Sequence, residues 1–274
     1  MLKPAERSKK VLIPDNLKRY VDLGTDLAQG RDVAFFKANN HALLKYVSSV
    51  TVPCCVHDGN PKDILAAIAL AKAYNCAVGA HIAYPDPLHH GYQKPDGLTN
   101  EDLSAWLRVQ LGALKELARV HAVDIQHVRP HGALYSAFLS DEATALVVAE
   151  TLKEIDPWLI LVAPASPVLA KTAEATGLRL AAEIYLGKRY TDEGILDITR
   201  LHETMPAQSA FDQAKRLVEE SVLTSADGRA VSVKFKSLHI SPAMDGALEL
   251  AEKVNQLLEQ PVPITLVDVA ASGW

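Results

Sequence analysis

The chain has 274 residues, 49% of them hydrophobic, and a net charge of −5. That length buries a large core and fits one domain, read here as residues 1–274 with 1–18 as an N-terminal extension. The acidic balance, with no block of about five like charges, argues against nucleic acid or an anionic membrane as partner, because both need a basic footprint. No apolar run reaches the roughly eighteen residues of a membrane span. The start, "MLKPAERSKK", is basic, but only "VLIP" follows before Asp15, too little for a signal peptide. Three cysteines, Cys54, Cys55 and Cys76, form no C-x-x-C pair and suit a reducing compartment. A cytoplasmic protein with a small-molecule substrate is the expectation.

In chain order, the first β-branched run is "RYVDL" (19–23), followed by "SVTVP" (49–53). Asn60-Pro61 then opens a helix with a capping side chain and a proline at the first helical position. After "CAVGA" (76–80), Thr99 with Glu101 and Asp102 behind it opens the amphipathic "LSAWLRVQLGALKELARV". Strand "DIQHV" (124–128) precedes a helix expected to open at Ser140. Strand "LILVA" (159–163) precedes a helix opened by Ser166-Pro167 and closed by Gly177. "LRLAAEIY" (178–185), "AVSVKF" (230–235) and "ITLVDV" (264–269) complete the candidate strands. Alternating strands and helices predict a parallel sheet under covering helices, which an open sheet and a closed barrel both satisfy.

The histidines favour the barrel. His57, His81, His131 and His239 fall at or just after the ends of predicted strands, where barrel enzymes gather their chemistry. The predicted fold class is therefore α/β, an irregular (β/α) barrel of seven parallel strands. In "QHVRPHGALY" (126–135), side chains alternate faces, so His127, Arg129 and His131 point one way. Asp22 and Asp26 share a parity across Gly24. Each has an ordinary structural reading as well: His127 as a hydrogen-bonded core histidine paired with Arg129, and the aspartates as a turn residue and a helix cap. Cys54 and Cys55 read as small buried side chains, Gly59 as a turn glycine, and His89-His90 as an exposed loop. The chain has no Gly-x-Ser-x-Gly, Walker loop or strand-linked Gly-x-Gly-x-x-Gly, which weighs against serine hydrolases, P-loop NTPases and dinucleotide oxidoreductases.

Five stretches carry a resemblance: "DLGTDLAQ" (22–29), "PCCVHDGNP" (53–61), "GAHIAYPD" (79–86), "HVRPHGALY" (127–135) and "LHIS" (238–241). In order and spacing they are similar to the motifs of the LamB/YcsF family, the A-type 5-oxoprolinase subunits or lactam-utilization proteins. The fourth is the most specific, differing from the family's His-Val-Lys-Pro-His-Gly-Ala-Leu-Tyr only at Arg129. Departures fall at Gly24, Thr25, Ala28 and Gln29, at Ser241 where the family has aspartate, and at Gly187-Lys188 where it has Asp-Arg. Losing acidic groups alters both proton chemistry and metal affinity.

The resemblance implies a barrel like those of the glycoside hydrolase/deacetylase superfamily. It also implies ATP-dependent opening of the 5-oxoproline lactam to glutamate, with ATP handled by B- and C-type partner subunits. Homo-oligomerisation is left open. The retained set includes Asp86 and Tyr190 besides the site residues themselves. Those it points to are Asp22, Asp26, His57, His81, His131 and His239 for catalysis, with Arg129, Tyr84, Tyr135 and His127 for substrate. His131 or His57 is expected as general base, because imidazole titrates near neutral pH, with Asp22 orienting it. Arg129 suits a substrate carboxylate or a developing oxyanion. Two alternatives stand beside this reading. One is a self-sufficient metal-dependent amidase or deacetylase, since aspartates and histidines at strand ends form a competent ligand set. The other is a degenerate, non-catalytic carboxylate-binding member. Because the acidic complement is thinner than the family's and no compact ligand motif is present, no tightly bound metal is expected to be required; whether a divalent metal binds is left open.

Overall fold

The computed structural model describes residues 21–29, 41–259 and 261. Nine strands lie among them: β1 Asp22–Asp26, β2 Ser49–Pro53, β3 Ala77–Ile82, β4 Ile125–Pro130, β5 Ile160–Pro164, β6 Arg179–Tyr185, β7 Val222–Thr224, β8 Ala230–Ser232 and β9 Ser237–Ile240. Seven close a parallel barrel in the order β1-β2-β3-β4-β5-β6-β9, with β9 pairing β1 through Asp22↔Ser237 and Gly24↔His239. The expected seven-stranded barrel is present, with two strands reassigned.

"AVSVKF" (230–235) does not enter the barrel; its first residues form an antiparallel hairpin with β7. Closure falls to β9, "SLHI", whose alternating Ser237 and His239 look like loop residues until their face is turned into the barrel. Likewise β1 runs to Asp26 rather than ending at Leu23, because its polar residues are all buried. "ITLVDV" (264–269), the extension 1–18 and the first residues of "RYVDL" lie outside the described residues.

The helices start where local hydrogen bonds dictate. Helix α1 (Pro61–Ala73) is capped by Asn60, whose side chain accepts from the Lys62 amide. Helix α2 (Asn100–Val120) carries a reciprocal capping box between Thr99 and Asp102. Helix α3 (Gly132–Ser140) was not expected; its last residue is Ser140, and Asp141, not Ser140, caps α4 (Glu142–Ile155). Helix α5 (Pro167–Thr176) starts on Ser166 and stops at left-handed Gly177 (φ 63°). Helices α6 (Ala207–Glu220) and α7 (Ala247–Leu257) follow. None of the described helices is long and apolar enough to cross a membrane.

Strand alternation separates two environments. Leu23, Val50, Val52, Val78, Ile82, Val128, Leu161, Ile184, Leu238 and Ile240 face outward and join the helices in the apolar core. The opposite parity, pointing into the barrel, carries Asp22, Asp26, Thr51, His81, His127, Arg129, Glu183, Ser237 and His239, all buried. Stability therefore resides mostly between barrel and helices, and the lumen is a polar network.

Candidate active site at the barrel mouth

Asp26, the last residue of β1, sits at the centre. Its Oδ1 accepts from Thr51 Oγ1 at 2.6 Å, and its Oδ2 faces His239 Nε2 at 3.2 Å. Arg129 Nη1 and His81 Nδ1 each lie 3.6 Å from Oδ1. Arg129 is gripped by Glu183 of β6 through two hydrogen bonds, Nε to Oε2 at 2.8 Å and Nη2 to Oε1 at 2.9 Å. Tyr135 OH donates to the same carboxylate at 2.7 Å, and His239 Nδ1 stands 3.7 Å from it. The guanidinium carbon lies 4.9 Å and 5.3 Å from the ring centres of Tyr135 and Tyr185.

Electrostatics follow from this packing. Burial would raise the Asp26 carboxyl, but His239, His81 and Arg129 reverse that and hold it well below the usual carboxylate range. Burial likewise opposes ionisation of Glu183, and Arg129 and His239 overcome it, so its pKa is lowered. Arg129 is pushed well above its usual range: burial works against the charge, while Glu183 and Asp26 more than compensate. The floor of the mouth is thus a charged triad of Asp26, Arg129 and Glu183.

Beside it lies a cluster of three imidazoles. His81 Nε2 is 2.9 Å from His131 Nδ1, which also takes a hydrogen bond from Gln29 Nε2 at 3.1 Å. His131 Nε2 meets the carbonyl oxygen of His90 at 2.9 Å. A carbonyl only accepts, so Nε2 carries the proton, and in the neutral ring Nδ1 is left with its lone pair. The Pro-His-Gly turn fixes this geometry: Gly132 has φ 56°, and a Cβ there would lie 2.3 Å from the Gly91 oxygen. His57, from the loop after β2, stacks on His131 with ring centres 4.6 Å apart. Both of its nitrogens, and His81 Nδ1, are buried without a hydrogen-bond partner among the described residues. Each such group costs on the order of 1–3 kcal/mol. Burial depresses all three rings, His57 to about 3, His81 well below 6.5 and His131 below its ordinary value. They present lone pairs at neutral pH rather than charge.

Above these groups opens a cavity of about 860 Å³, bordered by Asp26, Arg129, His131, Tyr185, Lys188 and Ser241. The Lys188 ammonium donates to the carbonyls of Leu201 and Glu203 and to Thr204 Oγ1. Burial lowers its pKa.

Asp26, His57, His81, His131, His239, Arg129 and Tyr135 are therefore brought together. Three of the expected site residues are not. Asp22 is the first residue of β1 and accepts from Ser48, Ser49 and Ser237 at 2.9, 3.0 and 2.7 Å, so it orients no histidine; Asp26 takes that place beside His81. His127 points at Gly79 inside the barrel, below the mouth. Tyr84 turns outward toward Thr144 at the start of α4, with Lys94 5.8 Å from its ring. Asp86 knots a turn by accepting from His89 and Gln93. Cys54 is buried and its thiol is pushed up by burial, which suits the structural reading. Sequence reasoning missed Glu183, Tyr185 and the cationic role of Lys188. The available signal was an acid at an alternate position of the apolar run "LAAEIY".

A family model described as the LamB/YcsF family matches residues 21–270. The chain belongs to the LamB/YcsF family. Among curated relatives it is 32% identical to an A-type 5-oxoprolinase subunit of Pseudomonas syringae pv. tomato, numbered 3 in that organism, over 247 residues, covering 88% of this chain and 94% of that protein. It is also 32% identical over 240 residues to the A-type 5-oxoprolinase subunit of Staphylococcus aureus, covering 87% and 95%. The crystal structure of a lactam utilization protein from Thermus thermophilus superposes with TM-score 0.80 at 32% identity, covering 89% of this chain and 99% of that one. In this LamB/YcsF member, the family-like stretches on β3 and after β2 and β4 supply the imidazole cluster, while β1 and β9 supply Asp26 and His239.

Proposed function

We propose that this chain is the A-type subunit of an ATP-dependent 5-oxoprolinase, cleaving the lactam C–N bond of 5-oxoproline to give glutamate. The observation that carries the reading is the barrel mouth: lone-pair imidazoles beside a fixed cation, under a cavity roomy enough to admit a small cyclic carboxylate. The names of the relatives agree with it. In the reaction, water adds to the lactam carbonyl, the C–N bond breaks, and the nitrogen takes up a proton. His131 or His57 accepts the proton from the attacking water and returns it to the leaving nitrogen. Arg129 carries the charge that develops on oxygen, held in place by Glu183. Lys188 forms no ion pair among the described residues; its three ammonium hydrogens are held by Leu201, Glu203 and Thr204, so its charge favours the substrate carboxylate through space rather than by a hydrogen bond. An unstrained lactam is a poor electrophile, and the sequence carries no Walker loop or other phosphate cradle of recognisable form. Activation by ATP therefore belongs to B- and C-type partner subunits.

Glutamate formation with and without the partner subunits and ATP tests this. The chain alone should be inactive and the complete system active. His131→Ala should lose activity by a factor of about 100 or more, and Lys188→Met should raise KM roughly 10-fold with kcat little changed. Full activity in His131→Ala would overturn the assignment. Rapid hydrolysis by the purified chain without ATP would favour a self-sufficient amidase.

A further inference from the structure

We infer that His57, His81 and His131 form a binding site for one divalent transition-metal ion of the zinc class. The inference rests on the hydrolase reading and revises one part of it: imidazole nitrogens that hold an ion are ligands and are no longer free to take the proton of the attacking water. One ligand nitrogen from each ring lies within 4.8 Å of the others, and all three residues are buried. Metal–nitrogen bonds of about 2.1 Å place two ligands roughly 3.0–3.4 Å apart. His81 Nε2 and His131 Nδ1, at 2.9 Å, already have nearly that separation. His57, whose two nitrogens lack partners, has to close in to complete the set.

The proton positions point the same way. His131 uses its Nε2 proton on the His90 carbonyl, so its Nδ1 lone pair faces His81 and the Gln29 amide, whose 3.1 Å hydrogen bond a bound ion would displace. The Asp26 carboxylate, 3.6 Å from His81 Nδ1, favours a proton on that nitrogen. His81 Nε2 then also presents a lone pair, and two lone pairs meet at 2.9 Å. Moving the proton to Nε2 relieves that pair but turns the Nδ1 lone pair toward the carboxylate. A cation between the two nitrogens resolves both conflicts. One outer contact is that of a metal-bound imidazole, the His131 ring anchored to a backbone carbonyl; at His81 the Asp26 carboxylate stands 3.6 Å from the outer nitrogen, one short shift from the second. Neutral nitrogen donors select zinc, cobalt, nickel or copper over magnesium or calcium. Asp26 and Asp58, both on the cavity wall, offset the charge of the ion alongside Arg129. Three protein ligands leave a position open to water, the arrangement of catalytic rather than structural zinc.

The test is direct binding to the full chain, stripped with chelator and dialysed against Zn²⁺ or Co²⁺ without substrate. One equivalent should be retained, and Co²⁺ should give visible d–d absorption. His57→Phe keeps a ring stacked on His131 and removes both unpartnered nitrogens. It should weaken binding by a factor on the order of 100 or more while the metal-free variant melts no lower than the parent. His121→Ala, distant from the cluster in sequence, should leave binding unchanged. Absence of stoichiometric binding overturns the inference, as does binding that survives both His57→Phe and His81→Ala. Because the readout needs no turnover, one bound equivalent in a protein that forms no glutamate would sustain the metal site and refute the oxoprolinase reading.

Discussion

Glu183 accepts two hydrogen bonds from Arg129 and one from Tyr135 while almost wholly removed from solvent. A guanidinium left in such a place without its carboxylate is costly, and breaking a buried pair typically destabilises by roughly 3–5 kcal/mol. Glu183→Gln keeps the volume and loses the charge. It should lower unfolding free energy by about 3 kcal/mol in a urea titration, and adding Arg129→Met should recover part of the loss. A change below about 1 kcal/mol in the single variant would show that Asp26 alone suffices for Arg129. The sequence does show an acid among apolar residues at 183, but such a residue ordinarily marks a solvated strand face. Only closure of the barrel makes that face an interior.

Gly79 of β3 lies across from His127 of β4 in register, and both face the lumen. A Cβ on Gly79 would lie 2.3 Å from the imidazole Cδ2, and the strand cannot yield because it is hydrogen-bonded to β2 and β4. Gly79→Ala should therefore destabilise by roughly 1–3 kcal/mol through overpacking. The paired Gly79→Ala/His127→Ala variant should fall short of the sum of the two single costs, since each relieves the other. Strict additivity in thermal or urea unfolding would refute the contact. At this scale the helix starts were legible, because Asn60, Thr99 and Ser166 bond to amides two or three residues ahead. Strands β1 and β9 were placed poorly, because their polarity has meaning only opposite each other.

Over the whole molecule, the polar lumen makes stability depend on pH in two opposed directions. Burial raises Asp22 from 3.8 to about 6, with the three serine hydrogen bonds opposing it. The folded state holds that proton more tightly, so the contribution of Asp22 is complete below about pH 4 and is lost as pH rises through 6. Burial lowers His127 from 6.5 to about 3, so its contribution is complete above about pH 6.5 and is lost as pH falls toward 3. Relative to the parent, Asp22→Asn should gain roughly 3 kcal/mol between pH 4 and 7. His127→Leu should gain roughly 2 kcal/mol in the other direction, between pH 7 and 5. Urea midpoints across this range decide it, and differences from the parent that do not vary with pH would sink the assignment.

The sequence by itself determined the alternation of strands and helices, the helix caps, the parity of His127, Arg129 and His131, and the family motifs. These are consequences of bonds spanning a few residues and of the two-residue period of a strand. Tertiary structure decided which histidines meet, that Asp26 rather than Asp22 stands beside them, and that Glu183 holds Arg129. Those pairings join residues far apart in the chain, such as Asp26 with His239, and depend on strand register and barrel closure. Neither is encoded within a local window, because each is set by how all seven strands pack at once.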